Sequence, residues 1–252
     1  MMRIGLAVAQ LHDNRPERQL QQVEDFLKKY GNRADLLVFG EAYLQGFHGL
    51  SWSYEKDRKR AVSRDSKIMI RLQDLCRTYG CGVSLGMILR EGESLYSGNV
   101  VIDSEGRSVD VFHRVSPGWR IAETEEHYRE GRDFHCFSYE GVKMGVMICG
   151  DGWYEENLEE WKRLAPDLLL WPLYVDYGAE EWKEGAEKEY ARQVKDLPCP
   201  VLFVNGLDVK KGEKGAHGGA FVFRNGETIR GWEMDRPGTL LLTWDAKENI
   251  VS

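Results

Sequence analysis

The chain has 252 residues, of which 42% are hydrophobic and 30% are charged, so it can bury a core beneath a well-solvated surface. This composition excludes an intrinsically disordered chain, and the net charge of -7 lacks the basic excess that a nucleic-acid partner requires. No apolar run approaches the roughly 20 residues that a membrane span needs, so we expect no membrane partner. Five cysteines, an odd number without a C-x-x-C pair, favour a cytoplasmic protein with free thiols.

Ten apolar segments have the length and composition of β-strands. Several of them, such as those containing LLVF, LLLWP and VLFVN, are continuous apolar runs, which is typical of strands buried on both faces. In chain order, the predicted strands are Arg3–Leu11, Leu36–Gly40, Gly82–Leu89, Asn99–Asp103, Val109–Val115, Lys143–Cys149, Leu168–Pro172, Val201–Asn205, Ala220–Arg224 and Leu240–Trp244.

Four amphipathic segments with apolar residues at helical spacing lie between these strands. The first follows Asn14 and Pro16, a helix-start signal, and ends at Gly31, whereas the second ends at Gly80. The apolar positions are, helix by helix, Leu20, Val23, Leu27 and Tyr30; Ile68, Leu72, Leu75 and Tyr79; Leu158, Trp161 and Leu164; and Trp182, Ala186, Tyr190 and Val194.

The early order of strand, helix, strand, helix and strand predicts an α/β core. The runs Asp103-Ser104-Glu105-Gly106 and Arg224-Asn225-Gly226 are typical of hairpin turns, and hairpins within an α/β chain indicate a mixed sheet or two stacked sheets. The polar run Lys210–Gly215 predicts an exposed loop. Because no repeat or linker interrupts the chain, we assign residues 1–252 to a single domain.

The most informative segment is GVMICGDGW, in which a predicted strand runs into Cys149 and then into Gly150-Asp151-Gly152. A nucleophile at the end of a strand, before a tight glycine-rich turn, projects into a cleft where backbone N–H groups also point. A buried core thiol is an equally good interpretation of this segment taken alone. The other four cysteines lack this context and are predicted to be core or loop thiols.

A thiol nucleophile needs a base, and none of the six histidines lies in a recognisable Cys-His context. Glu41 ends the apolar run LLVFG, and the carboxyl end of a buried strand is where α/β proteins place their sites. A solvated acid at a strand end is the alternative interpretation. Arg114 lies within the apolar strand VDVFHRV, where an edge residue that faces solvent is the default interpretation.

Taken together, these segments resemble the nitrilase superfamily of carbon–nitrogen hydrolases. The resemblance extends along nearly the whole chain and rests on three blocks in order, with WPLY, FVNG and HGGAFVFRNG following as expected. The blocks are VFGEAYLQGF with Glu41, LYSGNVVIDSEGRSVDVFHR ending in Arg114, and GVMICGDGWYEE with Cys149. This resemblance implies a four-layer α-β-β-α sandwich of two mixed sheets flanked by helices.

The chain departs from the family pattern at the second block. The family carries a catalytic lysine followed by His-Leu, whereas this chain has Arg114 followed by Val115-Ser116-Pro117. The role of that lysine is chiefly electrostatic, and a guanidinium supplies a fixed charge although it does not exchange protons. We therefore expect a retained hydrolase activity. The alternative is a catalytically silent, nitrilase-like protein that binds a metabolite or a protein.

The resemblance implies hydrolysis of a non-peptide C–N bond in a small amide or carbamoyl compound, through a thioester on Cys149 and without a metal or other cofactor. Glu41 would act as the base, and Arg114 and the backbone N–H of Gly150 would stabilise the oxyanion. Nitrile-hydrolysing members have Trp-Glu after the nucleophile, so Gly150-Asp151 favours an amide or carbamoyl substrate. An acyltransferase with an acceptor other than water is a further alternative.

The resemblance also suggests residues outside the three blocks. A further family glutamate falls in the region of AETEEHYREG, where Glu126 fits best and Glu125 is the runner-up, with a solvated acidic loop as the alternative. Trp153 and Tyr174 are the aromatic residues that we expect to line a small-molecule pocket. Because family members pair subunits through their sheets, we expect a homodimer or a higher homo-oligomer.

Overall fold

The computed structural model describes residues 1–121, 123–124, 126–208 and 215–245, and the backbone of 250–251. Its strands are β1 Met2–Val8, β2 Leu36–Val38, β3 Gly82–Glu91, β4 Ser94–Ile102, β5 Ser108–His113, β6 Cys136–Tyr139, β7 Val142–Val146, β8 Leu168–Leu173, β9 Val201–Asn205, β10 Ala220–Arg224, β11 Glu227–Trp232, β12 Gly238–Asp245 and β13 Ile250–Val251. Its helices are α1 Pro16–Tyr30, α2 Tyr54–Asp57, α3 Lys67–Tyr79, α4 Glu155–Leu164, α5 Ala179–Glu181 and α6 Glu187–Gln193. Short 3₁₀ turns span Phe47–Gly49 and Cys149–Trp153, and a π-helical turn at Trp182–Ala186 joins α5 to α6.

The strands form two mixed sheets. The first has the order β13-β12-β1-β2-β3-β4-β5, and the second has the order β11-β10-β9-β8-β7-β6. Parallel pairs occupy the middle of each sheet, at β1–β2–β3 and at β7–β8–β9, and antiparallel strands complete the edges. Parallel strands buried on both faces require continuous apolar runs, which is why LLVF and LLLWP were visible in the sequence.

The alternation of side chains along the central strands separates three apolar layers. Leu36 and Val38 face the core between the two sheets, whereas Leu37 between them faces the layer beneath α1 and α3. The second sheet is built in the same way, since Leu170 lies in the inter-sheet core and Trp171 lies in the layer beneath α4 and α6. The four-layer α-β-β-α sandwich is therefore confirmed.

The helix signals in the sequence place the helix ends well. Helix α1 has Pro16 in its first turn, as expected, although its N-cap is Arg15 and not Asn14. Helix α3 begins after Ser66, whose hydroxyl accepts the backbone N–H of Met69, and ends at Gly80 in the left-handed conformation. No helix in the described ranges is long and apolar enough to cross a membrane.

Several short elements do not appear among the predictions for physical reasons. Strands β6 and β11 are edge strands with largely exposed or half-buried residues, so they lack a continuous apolar run. The two predicted hairpin turns do join β4 to β5 and β10 to β11. The predicted loop Lys210–Gly215 lies outside the described residues except for Gly215, which is buried.

Candidate active site

Three chain segments that are distant in sequence meet where strands of the two sheets end. Glu41 follows β2, Arg114 follows β5, and Cys149 begins the 3₁₀ turn after β7. The backbone N–H of Glu41 donates to Leu173 O at 3.2 Å, which joins the end of β2 to the end of β8 in the opposite sheet. The packing of the two sheets therefore brings Glu41, Arg114 and Cys149 into one site.

Glu41 is a buried carboxylate whose two oxygens have different environments. The residue is only 1% exposed. Oε1 accepts a hydrogen bond from Arg114 Nη1 at 2.9 Å and a longer one from Ser97 Oγ at 3.3 Å. Oε2 is also buried and has no hydrogen-bond partner in the described part of the chain. A buried oxygen without a partner is uncommon and is available to accept a proton.

Arg114 is buried, at 5% exposure, and does not face solvent as an isolated edge-strand residue would. Its Nε donates to Ser116 Oγ at 3.0 Å, Nη1 donates to Glu41, and Nη2 donates to Pro117 O at 3.3 Å. Burial opposes the charged guanidinium, but the nearby acidic groups, led by Glu41, raise the pKa of Arg114 above its ordinary value. The site therefore contains a permanent, fixed positive charge.

Cys149 lies at the point where the chain leaves the sheet. The predicted strand reaches Cys149, but β7 ends at Val146, because the chain turns at Ile148 into the 3₁₀ turn. Cys149 has a φ of 46°, a left-handed conformation that is rare for residues other than glycine. The half-buried residue directs Sγ toward the carbonyl of Tyr174, at 3.9 Å.

The turn at Cys149–Trp153 is held by side chains from three other elements. Trp171 Nε1 donates to Cys149 O at 2.9 Å, Asn157 Nδ2 donates to Asp151 O at 3.0 Å, and Gln193 Nε2 donates to Gly152 O at 3.0 Å. These bonds anchor the carbonyl groups of the turn to β8, α4 and α6. The left-handed backbone at the cysteine is therefore fixed from outside the turn.

The pKa of the Cys149 thiol depends on its burial and on two neighbouring residues, Glu41 and Arg114. Burial raises the pKa of Cys149, the negative charge of Glu41 raises it further, and Arg114 lowers it. The resting state is therefore a neutral thiol next to a carboxylate, and not a thiolate. A thiol in this environment becomes nucleophilic when the carboxylate takes its proton as it reacts.

Asp151 is a site residue whose role the sequence analysis missed. It is fully buried, its Oδ1 accepts the N–H groups of Val115 and Ser116 at 3.0 and 2.6 Å, and its Oδ2 accepts that of Ile148 at 2.8 Å. Burial raises the pKa of Asp151 to about 6, although these hydrogen bonds and Arg114 oppose the shift. Asp151 thus connects the loop after Arg114 to the turn at Cys149–Trp153, which we call the nucleophile turn after the sequence prediction for Cys149.

The remaining predicted residues lie at different distances from this centre. Gly150 is adjacent to Arg114, since a Cβ added there would collide with Nη2 of the guanidinium. Tyr174 is buried, stacks on Phe47 at a ring distance of 3.9 Å and donates its hydroxyl to Asp208 at 2.6 Å. Trp153 is 36% exposed and packs edge-on against Tyr190, so it lies at the outer side of the turn.

The structure does not bring Glu126 into this cluster. Its side chain is exposed, and its backbone carbonyl accepts a hydrogen bond from Arg129. The alternative that we stated, a solvated acidic segment, describes the observed Glu126. Glu125, the runner-up, lies outside the described residues. Asp151, and not Glu126, is the acid that contacts the loop after Arg114.

The other four cysteines have the environments expected of core or loop thiols. Cys76, Cys81 and Cys199 are buried, and Cys136 is half-buried in β6. Burial is the largest cause that raises the pKa of each of these four thiols. Across the described ranges, no group of three or more His, Cys, Asp or Glu residues is arranged to hold a metal ion.

Comparisons with curated proteins give distant relatives. The chain is 29% identical to an arylacetone-specific nitrilase of Alcaligenes faecalis over 58% of this chain and 40% of the nitrilase. It is 25% identical to a glutamine-dependent NAD(+) synthetase of Thermotoga maritima over 99% of this chain and 43% of the synthetase. An N-carbamoylputrescine amidase of Solanum lycopersicum is 23% identical over 50% of this chain and 42% of the amidase. The chain thus matches less than two thirds of each relative's length.

Solved structures share the fold over almost the whole chain. A carbon-nitrogen hydrolase of Helicobacter pylori superimposes with a TM-score of 0.82 at 15% identity, over 98% of this chain and 90% of that one. An amidase of Nesterenkonia sp. AN1, with acrylamide added to its active-site cysteine, gives 0.77 at 18% identity, over 98% and 94%. The sequence model of the family described as carbon-nitrogen hydrolase matches residues 5–224. With most of its length covered by that model, the chain belongs to the carbon–nitrogen hydrolase family of the nitrilase superfamily.

Proposed function

We propose that the protein hydrolyses the C–N bond of a small amide or carbamoyl compound through a thioester on Cys149. The observation that carries this proposal is the asymmetry of Glu41. One carboxylate oxygen is held by Arg114, whereas the other is buried and has no hydrogen-bond partner among the described residues. The carboxylate as a whole raises the pKa of the Cys149 thiol. A fixed base with one free oxygen beside a nucleophile is the arrangement that acyl transfer requires.

The reaction begins with proton transfer from Cys149 to Glu41. The sulfur attacks the carbonyl carbon of the substrate, and negative charge develops on the carbonyl oxygen. Arg114 and the backbone N–H of Gly150 stabilise this oxyanion, and one such donor contributes about 3 kcal/mol to the transition state. Because Arg114 holds its charge permanently, it stabilises the oxyanion without taking part in proton transfer.

The proton on Glu41 then passes to the departing nitrogen, the C–N bond breaks, and ammonia or an amine leaves. A thioester on Cys149 remains. Water gives a proton to Glu41 and adds to the thioester carbon, and collapse of this second intermediate releases the acid. The sulfur recovers the proton from Glu41, so that no net charge or proton accumulates on the enzyme. Each step uses the same three side chains.

The sequence after the nucleophile supports an amide or carbamoyl substrate over a nitrile. Gly150-Asp151 replaces the Trp-Glu of nitrile-hydrolysing family members, and Asp151 is fully used in binding backbone N–H groups. Among the relatives, both amide-like and nitrile substrates are named. We also infer a cytoplasmic location and a homodimer or higher homo-oligomer, as we expected from the sequence.

The contact between Arg114 and Glu41 favours an active enzyme over a silent binding protein. The guanidinium binds one oxygen of the carboxylate and leaves the other unobstructed. A substitution that had destroyed the site would be expected to block the base or to displace it. The hydrogen bond from Arg114 to Glu41 therefore supports the electrostatic role that the resemblance assigns to lysine.

A substrate screen with a nucleophile variant tests this proposal. Amides, carbamoyl amines and nitriles are supplied to the wild type, and ammonia release is measured. Cys149→Ala should reduce turnover of any accepted compound by at least about 10³-fold, since a nucleophile removed from a catalytic unit abolishes its contribution. Cys199→Ala, which removes a buried thiol outside the site, is the matched control and should retain activity. Persistent ammonia release by Cys149→Ala would refute the proposal.

A further inference from the structure

Arg114 forms contacts that a lysine at the same position has too few nitrogens to form. Nε, Nη1 and Nη2 each donate a hydrogen bond, to Ser116 Oγ, Glu41 Oε1 and Pro117 O respectively. Lysine ends in a single ammonium group and has no counterpart of Nε. The arginine therefore needs an acceptor beside its stem, and Ser116 provides it.

Ser116 is buried, at 2% exposure, and is bonded on two sides. Its Oγ accepts from Arg114 Nε at 3.0 Å, and its backbone N–H donates to Asp151 Oδ1 at 2.6 Å. Asp151 in turn accepts the N–H of Ile148, which directly precedes Cys149. A continuous chain of hydrogen bonds thus runs from Glu41 through Arg114, Ser116 and Asp151 to the nucleophile turn.

Two departures from the family pattern coincide at this place. The chain has arginine in place of lysine at position 114, and Val115-Ser116-Pro117 in place of the usual His-Leu. The structure connects them directly, since both Ser116 and Pro117 accept hydrogen bonds from the guanidinium. The residues that replace the family pattern after position 114 are therefore the residues that bind the replacement side chain.

We propose that Ser116 is a positioning residue that makes arginine functional at position 114. It holds the guanidinium against Glu41 and couples it, through Asp151, to the backbone that carries Cys149. The hypothesis rests on the proposed hydrolase function for its catalytic meaning, but the coupling itself is a property of the protein's own side chains.

The space around Arg114 explains why its orientation has to be fixed. A Cβ on Gly150 would collide with Nη2 and would lie 2.9 Å from Ser116 Oγ, so the guanidinium is packed against the nucleophile turn. Without the serine oxygen, Nε is left buried and unpaired, and the planar group rotates to find another acceptor. Rotation changes the distance from the positive charge to the Cys149 sulfur, whose pKa that charge lowers.

A double-mutant cycle on positions 114 and 116 tests the proposal. The rate of Cys149 alkylation by iodoacetamide is measured against pH in the full chain, with peptide mapping to separate Cys149 from the other thiols. The proteins are the wild type, Ser116→Ala, Arg114→Lys and the double variant. Ser84→Ala is the matched control, because Ser84 is another buried serine and its hydroxyl accepts from Asn99 and not from a site residue.

With arginine present, Ser116→Ala should slow alkylation about tenfold at pH 8 and raise the apparent pKa of the thiol. With lysine at position 114, the same change should alter the rate less than about twofold, because no Nε remains to lose a partner. Equal losses in both backgrounds would overturn the proposal. If Ser116→Ala does not fold, Asp151→Asn replaces it in the cycle, and additive effects there would also overturn the proposal.

The same proteins separate this proposal from the hydrolase function. Once a substrate is found, Ser116→Ala should lower kcat in the arginine background and leave KM nearly unchanged, which a general loss of folding would not do. If Cys149→Ala retains ammonia release, the proposed function fails, but the alkylation cycle still decides whether Ser116 positions Arg114. If the cycle is additive while Cys149→Ala is inactive, only the role of Ser116 fails.

Discussion

Two fully buried carboxylates, Asp57 and Glu41, show how differently the same chemical group is used. Asp57 accepts the N–H groups of Ser51 and Trp52 and the hydroxyls of Ser51 and Tyr128, so both of its oxygens have partners. Glu41 has partners on one oxygen and none on the other among the described residues. A satisfied buried acid fastens a loop, whereas an acid with one free buried oxygen is prepared to accept a proton.

The two acids differ in the partners of their carboxylate oxygens and not in their burial. Both acids are at most 1% exposed, so burial does not distinguish them. The neighbours do, because the hydrogen-bond donors to Asp57 are backbone and hydroxyl groups, with the Arg60 guanidinium farther away at 3.9 Å. Glu41 instead accepts a hydrogen bond from the Arg114 guanidinium and raises the pKa of the Cys149 thiol. Substitutions at the two positions should therefore damage different properties of the protein.

The largest effect is expected for Glu41→Gln. The amide accepts no proton at neutral pH, so turnover should fall roughly 10³-fold, within the usual range for a lost general base. The pKa of Cys149 should fall at the same time, because Glu41 raises it and Arg114 remains to lower it. Ammonia release should therefore fall, whereas the pH dependence of alkylation should show a thiol that reacts at lower pH.

Glu130→Gln is the control for this experiment. Glu130 is a half-buried acid that pairs with Arg120 at 2.7 Å and contacts none of the three site residues in the described structure. It should leave both measurements near their wild-type values. Full turnover by the Glu41→Gln protein would contradict the different roles that we assign to Glu41 and Asp57.

Asp57→Ala should change stability and not the chemistry of the thiol. The substitution leaves buried donors from Ser51, Trp52 and Tyr128 without an acceptor, which typically costs about 3 kcal/mol in the free energy of unfolding. Denaturant unfolding measures the loss, and alkylation in the absence of denaturant should leave the apparent pKa of Cys149 unchanged. A shift in that pKa comparable to the shift in Glu41→Gln would show that the two regions are not independent.

Asp151 is the intermediate case, and its titration provides a test. Its pKa is raised to about 6 in the folded protein, so between about pH 4 and 6 the folded chain binds this proton more tightly than the unfolded chain. This carboxyl group therefore makes the protein less stable as pH rises through that interval, by about 3 kcal/mol. Asp151→Asn removes the effect.

The measurement is the difference in unfolding free energy between the wild type and Asp151→Asn at several pH values. Other titrating groups are common to both proteins and largely cancel in this difference. A difference that does not vary between pH 4 and 6 would show that the pKa of Asp151 is not raised on folding.

The smallest effect is expected for Gly150→Ala, which adds one methyl group beside the guanidinium. The methyl carbon would lie closer to Arg114 Nη2 than real contacts allow, so the guanidinium has to move and turnover should fall about tenfold. Gly178→Ala is the matched control, since a Cβ there meets no atom within 4 Å. Equal activity of the two variants would mean that contact between Arg114 and the nucleophile turn does not matter for the rate.

Much of the fold was predictable because it depends on apolar periodicity. The runs of β2, β8 and β9 indicated central strands, and the stripes of α1 and α3 indicated helices. Edge strands β6 and β11 carry no comparable signal, because one side of each lacks a neighbouring strand and many of their residues are exposed. The stacking of the two sheets came from the family resemblance and not from periodicity.

The site was predictable only in part, for a geometrical reason. Cys149 and Glu41 stand at strand ends, where local sequence marks them. Asp151 accepts hydrogen bonds from the backbone N–H groups of Val115 and Ser116, about 35 residues away in sequence, and no local pattern reports such a contact. Glu126 was selected through the family resemblance from among several acids in one run, and the sequence does not distinguish an exposed side chain there from a site residue.

The left-handed backbone at Cys149 implies a compromise between thermal stability and activity. Such a conformation costs an ordinary residue about 1 kcal/mol, whereas glycine adopts it freely. An inactive Cys149→Gly protein should therefore tolerate heat better than Cys149→Ala, even though it has lost more of its side chain. The fold therefore tolerates a less stable backbone at the position of the proposed nucleophile, and selection for thermal stability alone would replace Cys149.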